Sequence, residues 1–146
     1  MSHISTVIMD LLKANAGVVA KVGTRIYPDA LPSNVTLPAI SVVHVDGVPD
    51  QYIPAVSTDR IQVSCFSNPT EYNGVKSPQE VEEVAQAVKT ALHKSDLEKS
   101  PTAGTVNGVV HTITKAPRLL SERRFREEET DWYHIPLDFS VTYRKD

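Results

Sequence analysis

The side chain with the greatest chemical potential in this sequence is Cys65, the single cysteine. A thiol acts as a nucleophile when a base such as histidine lies beside it. Cys65, however, falls in the run from Ser57 to Phe66, where apolar and polar residues alternate as in a strand with one buried face. We therefore expect a buried packing thiol. A Cys65-dependent hydrolase is the alternative, and loss of activity in Cys65→Ser would support it.

The other titratable residues form no recognised catalytic or metal-binding pattern. None of the five histidines has the spacing of a metal site, and the six glycines stand singly rather than in a phosphate-binding loop. Glu127, Glu128 and Glu129 are adjacent like charges, which are typical of a solvated loop. The sequence therefore predicts no catalytic residue, no cofactor and no metal, and it indicates that the protein is not an enzyme.

Composition and charge limit the remaining functions. The 146 residues are 40% hydrophobic and 23% charged, which is typical of one packed domain over residues 1–146. A net charge of −3 argues against nucleic-acid binding through general electrostatics. The N-terminal residues lack the pattern of a signal peptide, and no apolar run approaches the ~18 residues of a membrane span. We expect a protein that folds in a cytoplasm and has no membrane partner.

Apolar residues at helical spacing predict two helices. The first covers the stretch from Ile4 to Leu12, with Gly17 as its C-terminal cap. The second begins at Ser77, which can cap it, with Pro78 in the first turn and Glu80 completing a capping box. The buried stripe of the second helix is Val81, Val84, Ala85, Val88 and Leu92.

Stretches of alternating or β-branched residues predict four strands. They cover residues 38–46, 57–66, 106–114 and 132–143, with a turn at Asp46-Gly47 and a polar loop over 67–76. The expected fold class is α+β: a four-stranded, mainly antiparallel sheet with two helices packed on one face, in the order helix, strands, helix, strands.

A stiff arm separates the first helix from the first long strand. Between Gly23 and Val45, Pro28, Pro32 and Pro38 fix φ and remove backbone donors, so the segment that these prolines bracket is neither a helix nor a central strand. Residues 25–27 within it predict a brief edge strand or an extended arm. We expect the arm to make assembly contacts.

The segment from Arg118 to Asp131 is dense in both signs of charge and links the last two predicted strands. One interpretation is a solvated hairpin tip. The other is a contact between subunits, because blocks of opposite charge pair across an assembly and set its register. The candidate assembly residues from the arm and this segment are Arg25, Tyr27, Arg118, Arg123, Arg124, Arg126, Glu127, Glu128 and Glu129.

Pieces distributed over nearly the whole chain support a resemblance to a known family. After the N-terminal amphipathic helix, they are Gly23-Thr-Arg-Ile-Tyr-Pro28, Leu37-Pro-Ala-Ile40, Arg60-Ile-Gln-Val63, Val84-Ala-Gln-Ala-Val88 and Leu137-Asp-Phe-Ser-Val-Thr-Tyr-Arg144. In this order they resemble the tail-terminator or tail-completion proteins of long-tailed bacteriophages. The family has no short invariant motif, so the order of the elements carries the resemblance.

The resemblance implies a structural virion protein that forms a ring, with six copies, on the end of the tail tube. One face of the ring would join the head-neck complex, and DNA would pass through the central hole without sequence-specific binding. The implied partners are further copies of the chain, the major tail tube protein and a head-neck connector protein. The implied location is the tail-neck junction of the virion, after folding in the host cytoplasm.

Two other functions stay open. One is a head-completion or stopper protein of the same neck, which would bind the portal side and not tail tubes. The other is a non-viral α+β module that binds a small ligand or has a regulatory role, which would show a concave apolar pocket.

Overall fold

Two long strands at the centre of a sheet organise this protein. The computed structural model describes residues 4–49, 56–68, 70–72, 75–92, 102–106, 109–113, 117–127 and 132–145. These ranges contain both helices and strands, so the predicted α+β class is confirmed. The elements are α1 (Ile4–Ala14), α2 (Ala16–Val22), β1 (Ile26–Pro28), β2 (Ala39–Pro49), β3 (Val56–Ser67), β4 (Thr70–Tyr72), β5 (Val75–Ser77), α3 (Gln79–Ala91), β6 (Thr102–Val106), β7 (Val109–Ile113), β8 (Arg118–Glu122), β9 (Phe125–Arg126) and β10 (Tyr133–Lys145).

The described strands form one eight-stranded sheet and a separate hairpin of β4 and β5. The order across the sheet is β1, β2, β3, β10, β7 and β6, and β8 and β9 also pair with β10. β1 is parallel to β2, whereas the other pairs are antiparallel. β10 lies along β3 from Tyr133 to Arg144, and its other side pairs in turn with β9, β8 and β7. β10 therefore joins the two halves of the sheet.

One face of the sheet is apolar and lies under the helices. In β3, Ile61, Val63 and Cys65 are buried, opposite residues of β10 that are also buried. Buried side chains of all three described helices join the same hydrophobic cluster: Ile4, Val7, Ile8, Leu12, Val18, Val22, Val81, Val84, Ala85 and Val88. The alternation in the sequence thus predicted correctly which residues of these strands face the core.

Local chemistry determines where the helices begin and end. Asn15 separates α1 from α2, and its Oδ1 accepts a hydrogen bond of 3.1 Å from the Val18 amide. Gly23 follows α2 with a φ of 59°, a conformation that glycine adopts without a steric penalty. Pro78 occupies the cap position of α3 and makes no side-chain cap hydrogen bond. In the described part of the chain, no helix is both long and apolar enough to cross a bilayer.

The predicted numbers of helices and strands are wrong in detail. The first helix ends at Ala14, so Gly17 lies inside α2 instead of capping α1, and Ser77 belongs to β5 instead of capping α3. Strand β2 continues through the predicted turn at Asp46-Gly47. Five strands of two to five residues, β4, β5, β6, β8 and β9, occupy stretches predicted as loops. So few residues give no readable alternation.

The proline-rich arm lies at one side of the sheet. β1 occupies the place of the predicted edge strand and pairs with the start of β2, with Ile26 opposite Ile40. Arg25 Nε donates a hydrogen bond of 2.8 Å to the carbonyl oxygen of Pro38, which follows a cis peptide bond. The arm is therefore tied back to the sheet at both its first and its last residues.

Candidate assembly edges of the sheet

One irregularity of the sheet lies in β2. His44 is opposite Ile61 and Asp46 is opposite Arg60, which leaves Val45 as the extra residue of a β-bulge. Bulges at the side of a sheet often redirect a side chain, and Val45 is 46% exposed. A large apolar side chain is thus presented to solvent from the same strand that buries Ile40 and Val42.

β2 is open on one side next to this bulge. β1 pairs only with residues 40–42 of β2, and no other described strand pairs with that side from Val43 onwards. Asp46 is exposed here, and no described residue forms an ion pair or hydrogen bond with its carboxylate. We call residues 43–47 of β2 the first edge.

A buried carboxylate supports the first edge from within the protein. Asp59 Oδ2 accepts hydrogen bonds from His44 Nε2 at 2.7 Å and from the Tyr143 hydroxyl at 3.0 Å, and Oδ1 accepts one from Ser57 Oγ at 2.6 Å. Because a carboxylate only accepts, His44 carries a proton on Nε2. Burial of the phenol, together with its bond to Asp59, raises the pKa of Tyr143 to about 12. This network ties β2, β3 and β10 together beside Val45.

Gly47 makes room for this carboxylate. It is opposite Asp59, and a Cβ at position 47 would lie 2.5 Å from Asp59 Oδ1 and 2.8 Å from Cγ. These separations are well inside the optimal van der Waals distance. The dipeptide predicted as a turn is therefore part of a strand whose glycine accommodates a buried acid.

The second irregularity lies in β8, on the other side of β10. Ser121 is opposite Asp138 and Leu119 is opposite Phe139, so Leu120 is the extra residue. The Leu119 and Leu120 side chains are 38% and 44% exposed. Two adjacent large apolar side chains of β8 are therefore exposed at the bulge.

The outer side of β8 and β9 is also open. Within the described ranges both strands pair only with β10. Phe125 of β9 is 46% exposed and adds a third large apolar side chain to this region. We call residues 118–126, which contain β8 and β9, the second edge.

Another buried carboxylate supports the second edge, from the face of the sheet that carries no helix. Asp138 Oδ2 accepts hydrogen bonds from Ser121 Oγ at 2.8 Å and Arg60 Nη2 at 3.3 Å, and Oδ1 accepts one from Gln62 Nε2 at 3.1 Å. Ser121 is next to the extra residue Leu120, so its bond to Asp138 fixes β8 against β10 where their register shifts.

Ion pairs connect the second edge to α3. Arg124 Nε lies 2.9 Å from Glu82 Oε1, and Arg124 Nη2 lies 3.3 Å from Glu122 Oε2. Lys89 Nζ lies 3.2 Å from Glu122 Oε1. Exposed pairs of this kind contribute little stability each, but together they hold the strand against the helix.

An aromatic group continues the second edge along β10. The His134 ring stacks on Phe66 with centroids 4.2 Å apart, and the Phe125 ring is 6.0 Å away. His134 Nδ1 lies 3.1 Å from Glu127 Oε1, whereas the buried Nε2 atom has no hydrogen-bond partner in the described structure. Burial lowers the pKa of His134, although the Glu127 carboxylate opposes this effect.

Some of the predicted assembly residues already have a partner in the same chain. Arg25 binds the Pro38 carbonyl, Arg124 binds two carboxylates and Glu127 binds His134. The Arg126 guanidinium carbon lies 5.8 Å from the centroid of the Tyr133 ring. These side chains hold the arm and the second edge in shape.

The other predicted assembly residues differ from one another in position. Arg118 and Arg123 are exposed, and no described side chain pairs with either guanidinium. Tyr27 is half-buried in β1. Glu128 and Glu129 lie outside the described residues.

Sequence reasoning missed the two aspartates and the two bulges. Asp59 lies two residues before Ile61, on the same side of β3 as Ile61, Val63 and Cys65. A charged residue at a position that the alternation assigns to the core was a signal of a buried polar network. Val45 and Leu120 gave no signal, because a bulge depends on how two strands pair.

Cys65 lies in the middle of the sheet and is fully buried. Burial raises the pKa of its thiol well above the ordinary value, and the Glu122 carboxylate acts in the same direction. A buried, protonated thiol is a poor nucleophile. Among the described residues, no group of three His, Cys, Asp or Glu side chains could hold a metal ion.

Comparison with known proteins identifies the family. The family model of the tail completion protein gp17 matches residues 6–144. The chain belongs to this family. Its fold is similar to a chain in the virion of a native gene transfer agent particle, with a TM-score of 0.64 and 19% sequence identity over 97% of this chain and 94% of that chain. Comparison with curated proteins gives no match.

The family match confirms the resemblance seen in the sequence. It identifies the chain as a structural protein of a phage-like tail or neck, and it favours a non-enzymatic role.

Proposed function

We propose that this chain forms a closed ring of six copies that caps the tail tube of a phage-like particle, joins the tail to the head-neck complex and leaves a passage for DNA. The match to the tail completion family over residues 6–144 carries the proposal. The fold shared with a chain of a gene transfer agent virion supports it. We further propose that residues 1–146 act as one domain.

The two edges of the sheet suit a ring. They differ in sequence, in the direction of their strands and in charge. A contact between two different surfaces repeats head to tail, and it closes a ring when the rotation between copies permits. The proposed partners are further copies of the chain, the major tail tube protein and a head-neck connector protein.

A mildly acidic protein suits the passage of DNA. The net charge is −3, whereas a strongly basic lumen would retain DNA through its phosphates. We propose that DNA passes through the ring without sequence-specific binding, at the tail-neck junction of a virion whose proteins fold in the host cytoplasm.

The predicted assembly residues take two roles in this proposal. Arg118, Arg123 and Tyr27 are proposed to contact a neighbouring copy or the tube, as are Glu128 and Glu129. Arg25, Arg124, Arg126 and Glu127 already interact within the chain, and we propose that they keep the contact surfaces in shape.

The ring itself is tested by mass measurement in solution, with and without purified tail tubes, and by electron microscopy of the same samples. We expect closed rings of six copies, at least on the ends of tail tubes. A protein that stays monomeric at every concentration and forms no ring beside tail tubes would overturn the proposal. Binding to the portal side and not to tubes would indicate a head-completion or stopper protein instead.

Charge reversal tests the second edge as a contact surface. The triple change Arg123→Glu, Arg124→Glu and Arg126→Glu should prevent tail capping while circular dichroism shows a folded chain. The matched control reverses Lys13 and Lys21, which are exposed on α1 and α2. Normal capping by the triple variant would support the other interpretation, in which the charged segment is a solvated hairpin tip.

Single substitutions distinguish a residue that contacts a partner from one that supports the shape of the second edge. Arg123→Glu affects a side chain that no described residue pairs with, so any loss of capping reports a lost contact with a partner. Arg124→Glu breaks the bonds to Glu82 and Glu122, and it should weaken capping together with the protection of β8 amides from exchange.

A further inference from the structure

We infer that neighbouring copies of this chain join edge to edge, with the second edge of one copy packed against the first edge of the next. This inference rests on the proposed ring and names the surfaces that would close it. Each copy would use both edges, so every subunit would make the same two contacts around the ring.

The strand directions permit this contact. β2 is antiparallel to β3, β3 is antiparallel to β10, and β10 is antiparallel to β8. β8 therefore runs opposite to β2. Two copies placed side by side in the same orientation bring β8 next to the open part of β2 as antiparallel neighbours, which is the arrangement that continues a sheet.

Exposed apolar side chains are concentrated at these two edges. The large hydrophobic side chains that are exposed in the described structure are Val19, Val45, Leu119, Leu120 and Phe125, and four of these five lie on the edges. Edges that avoid association carry charges or proline at such positions. Here both bulges present an aliphatic side chain, Val45 on one edge and Leu120 on the other, so each offers apolar surface to a partner.

Charge selects a head-to-tail contact over a contact between identical edges. The first edge carries the exposed Asp46, whereas the second edge carries Arg118 and Arg123, and none of these three has a partner among the described residues. Two first edges or two second edges would oppose like charges. A second edge facing a first edge would pair the arginines with Asp46.

The side of the sheet formed by β1 is a poorer partner. Pro28 has no amide to donate, and Arg25 ties the arm to Pro38 along the same side. The open part of β2 begins where this protection ends.

Site-directed cross-linking tests the contact between edges. Val45→Cys and Leu120→Cys are made as separate proteins, assembled together under the conditions that give rings, and treated with a short bifunctional maleimide. We expect a covalent dimer only when the two variants are mixed, because a head-to-tail contact brings position 45 of one copy to position 120 of another. The double variant should give a ladder that ends at the closed ring.

Two controls accompany the cross-linking. Val19→Cys places a thiol at a similarly exposed position on α2 and should not cross-link to either edge, since Val19 is 40% exposed but lies on a helix. Native Cys65 is fully buried and should not react in the folded chain. Dimers from either edge variant alone would show contact between identical edges and would overturn the inference.

A charge exchange gives an independent test. Asp46→Arg and Arg118→Glu should each weaken ring formation about tenfold, and the combination should restore it when both charges are reversed in every copy. Rings that form equally well with either single change, and without cross-links between positions 45 and 120, would overturn the inference while leaving the ring intact. Absence of rings from the unmodified protein would instead overturn the proposed function, and the inference with it.

Discussion

The first and second edges are each supported by a buried aspartate, but the two aspartates have different surroundings. Asp59 lies on the helix side of the sheet and binds three uncharged or weakly basic donors, of which Ser57 and Tyr143 are buried. Asp138 lies on the opposite face and binds Arg60, whose side chain is 46% exposed. The network of Asp59 is the more buried one, since the His44 side chain is 29% exposed and its other two donors are buried.

The two bulges should therefore differ in how well they tolerate substitutions. In the more buried network, Ser57 and Tyr143 lose their partner when the acceptor is altered, and water cannot easily replace the lost bonds. A network at the surface can recruit water. The first edge should therefore respond to mutation more strongly than the second.

The largest expected effect comes from Gly47→Ala at the first edge. The new Cβ would meet the Asp59 carboxylate at 2.5 Å, and three hydrogen bonds hold that group in place. We expect a loss of about 3 kcal/mol in the free energy of unfolding. Urea denaturation measures it. Gly17→Ala in α2 is the matched control and should change stability by less than about 1 kcal/mol. Equal losses would contradict the proposed steric conflict.

Removing the charges of the two aspartates compares the edges directly. In Asp59→Asn the amide oxygen can still accept, but the NH2 group faces at least one donor from which it cannot accept, and we expect a loss of about 2 kcal/mol. Asp138→Asn should cost about 1 kcal/mol, because Arg60 and solvent can adjust. Thermal and urea unfolding of both variants give the ranking. A larger loss at Asp138 would reverse the comparison.

Cys65→Ser changes the centre of the sheet and neither edge. Cys65 is opposite Ile40 on one side and Ile135 on the other. A buried hydroxyl without a partner should lower the free energy of unfolding by about 1–2 kcal/mol. Ring formation, measured by electron microscopy at a temperature where the variant is folded, should be retained. Loss of rings from a folded variant would mean that the edges depend on the centre of the sheet.

Alkaline pH should act on the network of the first edge. The folded-state pKa of Tyr143 is about 12, above the ordinary value of 10, so the folded chain keeps the phenolic proton longer than the unfolded chain does. The stability from this group is present below pH 10 and is lost as the pH rises from 10 towards 12. The pH dependence of the unfolding free energy should be shallower over this range in Tyr143→Phe. An unchanged slope would remove Tyr143 as its cause.

Mild acid should lower the free energy of unfolding through His134, next to the second edge. This is the smallest of the expected effects. Burial lowers the pKa of His134, and a proton added to Nε2 meets no acceptor in the described structure. The stability from the neutral ring is present above pH 6.5 and is lost as the pH falls through the lower folded-state pKa. His134→Phe, which keeps an aromatic ring on Phe66, should remove this dependence. The same acid response in the variant would assign it to another group.

The long elements of the fold could be predicted from the sequence because each repeats its pattern many times. Strands β3 and β10 each alternate over twelve or more residues, and α3 carries one apolar stripe. β8 could not be recognised, since Leu119 and Leu120 are both exposed and the strand forms through pairing with β10. α2 was also missed, because seven residues capped by Asn15 are too few to show a helical period.

The candidate site was predicted only in outline. The charge of residues 118–131 predicted either a solvated loop or a contact between subunits. Charge alone does not reveal that Arg124 pairs with Glu82 and Glu122, whereas Arg118 has no partner among the described residues. Asp59 binds side chains from β2, β3 and β10. Asp138 binds side chains from β3 and from β8 next to its bulge. Such networks are set by the register between strands, which one sequence does not display.

β10 pairs with four other strands, and this pairing should determine which parts of the sheet open locally. β1 is held by three residue pairs, whereas β10 pairs with β3 along its length and with three further strands on its other side. Amide hydrogens of β1 should therefore exchange with solvent through small fluctuations. Those in the middle of β10 should exchange only when the whole domain unfolds. Protection of backbone amides from exchange should therefore increase across the sheet, from the parallel strand β1 to the central strand β10.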